Sequence, residues 1–136
     1  IVETGERIDA KINKELLVSI FYPRSPLHDG AVIINNNKIE AARCLLPLSE
    51  VQFMTNKNLG TRHRAGLGIS EQSDAIAVIV SEETSRISIA DDGNLHACKD
   101  IKELEEKLRE AMSSTSVTKS LKSLFESTEE NEEKNK

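Results

Sequence analysis

Apolar residues along the first third of the chain recur at Ile8, Ile12, Leu16, Leu17, Ile20 and Phe21. That three-to-four spacing predicts one amphipathic helix, capped by Asp9 and ended by Pro23 and Pro26. Ala31, Val32, Ile33 and Ile34 then form a short continuous apolar run that reads as a strand. Asn35, Asn36 and Asn37 tolerate positive φ, and residues 38–46 return as a second strand, so the pattern is a hairpin. Pro47 closes it, and residues 49–58 read as irregular or as a short helix. Gly60 and Thr61 mark a helix start at which the Thr61 hydroxyl can cap, with residues 62–72 helical although Gly66 and Gly68 weaken the pattern. Residues 75–80 read as the most buried strand. Residues 86–90 alternate polar and apolar, and Asp91-Asp92-Gly93 turns the chain back toward Leu95 and His96. Ile101, Leu104, Leu108 and Met112 predict an amphipathic helix over residues 100–112. Val117, Leu121, Leu124 and Phe125 suggest a weaker second helix. Residues 126–136 are almost wholly charged or polar and read as a disordered tail. The element order predicts an α/β or α+β fold, helices packed on a mixed sheet.

Composition narrows the function. A chain of 136 residues suits one domain, and 38% hydrophobic with 30% charged residues is ordinary for a globular protein. Aromatics make up 3% with no Trp, so aliphatic side chains must carry the core. A net charge of -5 excludes a uniformly basic surface for duplex nucleic acid, and no nucleic-acid partner is expected. An anionic ligand would need a local positive site. Cys44 and Cys98 are isolated and read as reduced thiols. No apolar run approaches the roughly 18 residues of a membrane span. The chain begins at Ile1 without Met or signal peptide, and a longer parent is expected.

Three segments carry candidate chemistry. Pro26-Leu27-His28-Asp29-Gly30-Ala31 stands just before a strand, where Asp29 can hold a divalent cation or take a proton from a hydroxyl. Gly30 allows a ligand close to the backbone, although Asp-Gly by itself is more often a simple turn. Gly60-Thr61-Arg62-His63-Arg64-Ala65 combines a helix start with two guanidinium groups, suited to polyphosphate. The alternative is a solvated arginine pair facing the acidic tail. Ser81-Glu82-Glu83-Thr84 follows a strand, where Ser81 can donate to a phosphate and a carboxylate can join Asp29 on a metal; in isolation it is better read as a helix cap or polar turn. Together these are the parts of phosphoryl or nucleotidyl transfer. Neither G-x-x-x-x-G-K-[ST] nor G-x-G-x-x-G occurs, which excludes conventional P-loop and dinucleotide-binding folds.

The first segment with Val32-Ile33-Ile34, and Leu59-Gly60-Thr61-Arg62-His63-Arg64-Ala65, resemble the DGA and RHR motifs of the diadenylate cyclase (DisA N-terminal type) family. Ala41-Ala42-Arg43-Cys44-Leu45-Leu46-Pro47-Leu48, Gly68-Ile69-Ser70-Glu71 and Val80-Ser81-Glu82-Glu83-Thr84 fall in the family's order. The resemblance runs from about Ile1 to His96 and is strongest to the membrane-anchored branch of Gram-positive bacteria. It implies a central mixed β-sheet flanked by helices and one ATP site per subunit. Two subunits, in a homodimer or higher homo-oligomer, would meet face to face to condense two ATP into cyclic di-AMP with Mg²⁺, Mn²⁺ or Co²⁺. By the same likeness Asp29 activates the 3′-hydroxyl and holds metal together with Glu83 and His28. Gly30 and Ala31 lie beside the ribose and Leu46 against adenine. Thr61, Arg62, His63 and Arg64 hold phosphates and nucleotide, and Ser81 contacts the triphosphate. Also implied are a cyclase domain over residues 1–112 with a further helix and strand upstream, a tail over 113–136, and a cytoplasmic placement below upstream membrane helices. Regulatory partners of the phosphoglucosamine mutase and YbbR types are implied as well. Leu45 stands where many relatives carry Tyr, Gly66 replaces a usual Ala, and Ser85 replaces a common Gly. A module that binds ATP or cyclic di-AMP without catalysis is the competing reading.

Overall fold

The computed structural model describes residues 1–50 and 59–113. The segment 51–58, the second C-terminal helix expected near Val117 and the tail lie outside these residues. The chain forms two compact units, Ile1–Pro47 and Leu48–Lys136.

In the N-terminal unit a 3₁₀ turn, Val2–Thr4, precedes β1 (Glu6–Lys11), α1 (Lys14–Phe21), β2 (Ala31–Asn35) and β3 (Lys38–Cys44). The expected long helix from Asp9 is therefore a strand followed by a two-turn helix. Ile8, Ala10 and Ile12 are half-buried and alternate with exposed Asp9, Lys11 and Asn13, a period of two that the helical spacing conceals. The cap is Asn13 rather than Asp9: its side chain accepts from the Leu16 amide at 2.8 Å. Asp9 takes φ 51° at an irregularity in the pairing of β1 with β3. Most of the apolar set nevertheless converges, since Ile8, Ile12, Leu16 and Leu17 pack around buried Ile20, Ile39 and Ala42, but Phe21 at the end of α1 is exposed rather than buried. The hairpin is also as expected, with Asn36 and Asn37 at φ 52° and 63° closing a two-residue loop between paired Asn35 and Lys38. The sheet order is β1-β3-β2, all antiparallel.

In the C-terminal unit α2 (Thr61–Gln72) packs on a meander of β4 (Ala77–Val80), β5 (Ile87–Asp91) and β6 (Asn94–Cys98), followed by α3 (Ile101–Ser113). The mixed α and β class is as expected. Among the described residues the strands form two three-stranded antiparallel sheets, because β2–β3 and β4–β5–β6 are joined by connections too short for parallel crossovers. The most buried strand is not β4 but β5, whose Ser88, Ile89 and Ala90 are all buried between two neighbours. At the margin of this sheet β4 buries Ile79 and leaves Val78 and Val80 about half exposed. Gly66 sits where α2 comes closest to β4. A methyl there would lie 2.6 Å from Ile79 Cδ1, so the missing side chain sets the helix-to-sheet distance. Ser70, also buried, donates to the Leu67 carbonyl at 2.8 Å and accepts from the Gly93 amide at 3.1 Å, tying α2 to the β5–β6 turn. Asp100 caps α3 by accepting from the Glu103 amide at 2.8 Å. Its inner stripe is Leu104, Leu108 and Ala111, with Ile101 and Met112 exposed at the edges rather than buried.

Candidate nucleotide-binding site

The first candidate segment is a loop over residues 22–30 between α1 and β2. Tyr22 is extended (ψ 134°) ahead of Pro23, which stops α1. Ser25 then organises the loop: its hydroxyl accepts from the Leu27 amide at 3.1 Å and its carbonyl accepts from the His28 amide at 3.3 Å. The same carbonyl lies 2.8 Å from His28 Nδ1. A carbonyl can only accept, so Nδ1 carries a hydrogen, which in the neutral ring is the tautomer that leaves Nε2 for a metal. Asp29 is exposed beside it. Gly30 has φ 144°, and a Cβ there would lie 2.7 Å from both Cα and the carbonyl carbon of Arg43. Gly30 is thus required by its packing on β3, independently of any ligand. Arg43, itself at φ 56°, also donates from Nη1 to the Pro26 carbonyl at 3.5 Å. Ala31 opens β2 opposite Cys44, and Leu46 is half-buried just past β3. Leu45 is 68% exposed.

The other two segments meet within the C-terminal unit. Gly60, not Thr61, is the N-cap of α2, and no side chain caps this helix. Thr61 is instead the exposed first helical residue, so the first-turn amides point outward without a side-chain acceptor. Arg62 donates from Nη1 to the Val80 carbonyl at 2.9 Å, which sets the helix start against the end of β4 where Ser81 begins. The loop over residues 81–86 is closed on itself: Ser81 donates to the Arg86 carbonyl at 2.8 Å, and Ser81 Oγ accepts from the Thr84 amide at 3.2 Å. Glu83 is exposed on this loop, and Ser85 takes φ 61°. His63 and Arg64 are half-buried, with Arg64 Nε donating to the Ser49 carbonyl at 3.0 Å.

The geometry therefore joins the Arg62–Arg64 segment to the Ser81–Thr84 segment, while the His28–Asp29 loop belongs to the N-terminal unit. Carboxylates and an imidazole with a fixed tautomer are donors suited to Mg²⁺, Mn²⁺ or Co²⁺. Among the described residues no group of three or more His, Cys, Asp or Glu gathers around one point. A cavity of about 370 Å³ lies between β5, β6 and α3, lined by Asp91, His96 and Lys107 among others, and includes none of the candidate residues. Cys44 and Cys98 are buried and unbridged, and burial pushes both thiols up, away from the reactive thiolate. Sequence reasoning passed over Ser25, Ser49 and the role of Glu71, because each acts through a contact that no local pattern announces.

A helix start without a side-chain cap, bearing two arginines and held at the end of a strand beside Ser81, offers donors suited to a phosphorylated ligand within an α+β domain. The family model described as the DisA bacterial checkpoint controller nucleotide-binding (DAC) domain matches residues 1–95, and the chain belongs to this family. It is 58% identical over 95 residues to the cyclic di-AMP synthase CdaA of Bacillus subtilis, covering 70% of this chain and 34% of that protein. It is 53% identical over 104 residues to a diadenylate cyclase of Listeria monocytogenes, covering 76% of this chain and 37% of the relative. The chain thus spans about a third of the length of these curated relatives. A crystal structure of a double mutant of DacA from Staphylococcus aureus superposes with a TM-score of 0.74 at 51% identity, covering 81% of this chain and 73% of that one. Among the described residues no helix is long and apolar enough to cross a membrane.

Proposed function

We propose that this chain is a diadenylate cyclase domain, condensing two ATP into cyclic di-AMP with release of two pyrophosphates. The observation that supports the reading is the 2.9 Å bond from Arg62 to the Val80 carbonyl, which brings an uncapped helix start and its arginine beside the Ser81 loop. Its likeness to the cyclic di-AMP synthase of Bacillus subtilis and the diadenylate cyclase of Listeria monocytogenes supports the same reading.

In this reading Arg62, Arg64 and the amides of Thr61 and His63 hold the polyphosphate, and Ser81 adds a hydroxyl donor. Gly30 and Ala31 face the ribose, and Leu46 supplies an apolar wall for adenine. Asp29 takes the proton from the 3′-hydroxyl as that oxygen bonds to the α-phosphorus of the other ATP. The bond from that phosphorus to the bridging oxygen breaks, and pyrophosphate leaves with the electron pair. Two such transfers close the ring. By the family resemblance His28, Asp29 and Glu83 are candidate ligands for a divalent cation, which when bound would neutralise phosphate charge and polarise the attacking oxygen. One chain supplies one ATP site, so catalysis needs two chains. The parent is anchored at a membrane in this reading, with the domain on the cytoplasmic side.

The test is incubation of the chain with ATP and Mn²⁺ and detection of cyclic di-AMP by mass, with Asp29→Asn as the control. Asp29 is exposed, so the variant should fold normally and make no product. Specific activity should also rise with protein concentration in a dilution series. ATP binding without product would leave a nucleotide-sensing module; full activity from a species shown to be monomeric would refute the two-chain mechanism.

A further inference from the structure

Of the segments that resemble the family, Gly68-Ile69-Ser70-Glu71 has no task in the reaction as proposed, and the one ending at Leu48 has a task only through Leu46. Geometry ties them together through Ser49, the residue after Leu48. Ser49 is 1% exposed and spans two points on α2. Its amide donates to the Arg64 carbonyl at 2.9 Å, and its carbonyl accepts from Arg64 Nε at 3.0 Å, a reciprocal pair. Its hydroxyl donates to Glu71 Oε2 at 2.7 Å, a short bond to a carboxyl oxygen. Arg64 and Glu71 are seven residues apart, two turns along one face of the helix, so a single buried residue bridges both.

A guanidinium is planar, and a bond at Nε to a backbone-fixed acceptor sets the plane in which its two Nη groups lie. Holding that plane before ligand arrives removes rotamer freedom that binding would otherwise have to remove. The Glu71 carboxylate in turn fixes Ser49: without it the buried hydroxyl would lose its acceptor, and the peptide that grips Arg64 would lose an anchor. We infer that Ser49 and Glu71 are positioning residues for Arg64, orienting its guanidinium for the polyphosphate. The inference rests on the proposed polyphosphate role of Arg64.

The experiment is a double-mutant cycle on the full chain, with 3′-deoxy-ATP as the probe because it lacks the attacking hydroxyl. Ser49→Ala should weaken its affinity about tenfold, the equivalent of one bond to a charged group. In an Arg64→Ala background the same change should cost less than about twofold. Glu71→Gln, which retains an acceptor, should stay near wild type, whereas Glu71→Ala should follow Ser49→Ala. Affinity for 3′-deoxyadenosine, which has no phosphate, should not move in any of these variants; a merely structural loss would lower both. If Ser49→Ala does not fold, the two Glu71 variants decide. Additive losses in the cycle, or equal losses for 3′-deoxy-ATP and 3′-deoxyadenosine, would overturn the inference while leaving the role of Arg64 intact. No loss on Arg64→Ala itself would overturn the polyphosphate reading, and the inference with it.

Discussion

Replacing Gly30 by Ala tests the structural basis of the Asp29 loop most directly. Gly30 has φ 144°, a region closed to L side chains, and occupying it costs about 1–3 kcal/mol. The added Cβ would also lie 2.7 Å from Arg43 Cα and from its carbonyl carbon. These are backbone atoms of β3, the central strand of its sheet, and they cannot retreat without disturbing the pairing with β1 or β2. Overpacking of this kind adds about 1–3 kcal/mol. The sum, about 2–6 kcal/mol, is a large share of the roughly 5–15 kcal/mol that holds a domain together. In a chain of this size it should lower the melting temperature by roughly 6–20 °C. Circular dichroism melts of the wild type and Gly30→Ala, backed by urea titration, give the measurement. A variant melting within about 2 °C of wild type would refute the packing argument and return Gly30 to a purely ligand-facing role.

Other outcomes follow from single contacts. Arg62→Ala should leave the fold within about 1.5 kcal/mol of wild type, since only one exposed bond is lost, yet lower turnover about a hundredfold; unchanged kinetics would return Arg62 to a solvated surface role. Ser85→Gly should be neutral or stabilise by up to about 1 kcal/mol, because relief of the 61° φ outweighs the added chain entropy; a loss of denaturation midpoint would refute this. Glu103 accepts from the Lys99 amide at 2.7 Å and bonds His96 at 3.1 Å, and these bonds hold its carboxyl below the usual 4.5. A lowered carboxyl stabilises fully above its unfolded value and loses that contribution as pH falls through the folded one. Protection of the first-turn amides of α3, taken relative to their intrinsic exchange rate at each pH, should therefore fall on acidification below about 4.5, and Glu103→Gln should remove the effect; an unchanged acid response in that variant would exclude Glu103 as its source.

How much was legible in the chain varied with the range of the forces involved. The Asn36–Asn37 hairpin, the Asp92–Gly93 turn and α3 could be read directly, because turn geometry, capping and amphipathic period act within a few residues. The motif residues Asp29, Arg62, Arg64, Ser81 and Glu83 were equally visible as chemistry. Positions 8, 12 and 16 were compatible with either a helix or a strand leading into one. Pairing of β1 with β3, together with Asn13 at the cap, decided between them. Residues 77–80 had the composition of a core strand, yet neighbours on the sheet, not composition, make β5 the buried one. Gly30 reads in the sequence as room for a ligand, but the need for glycine there also comes from Arg43, thirteen positions further on, whose backbone occupies the side a Cβ would take. Ser49, Arg64 and Glu71 likewise carry no shared local pattern. What unites them is a helix face and a buried peptide brought together from separate parts of the chain, because hydrogen-bond partners over such distances are chosen by packing and not by propensity.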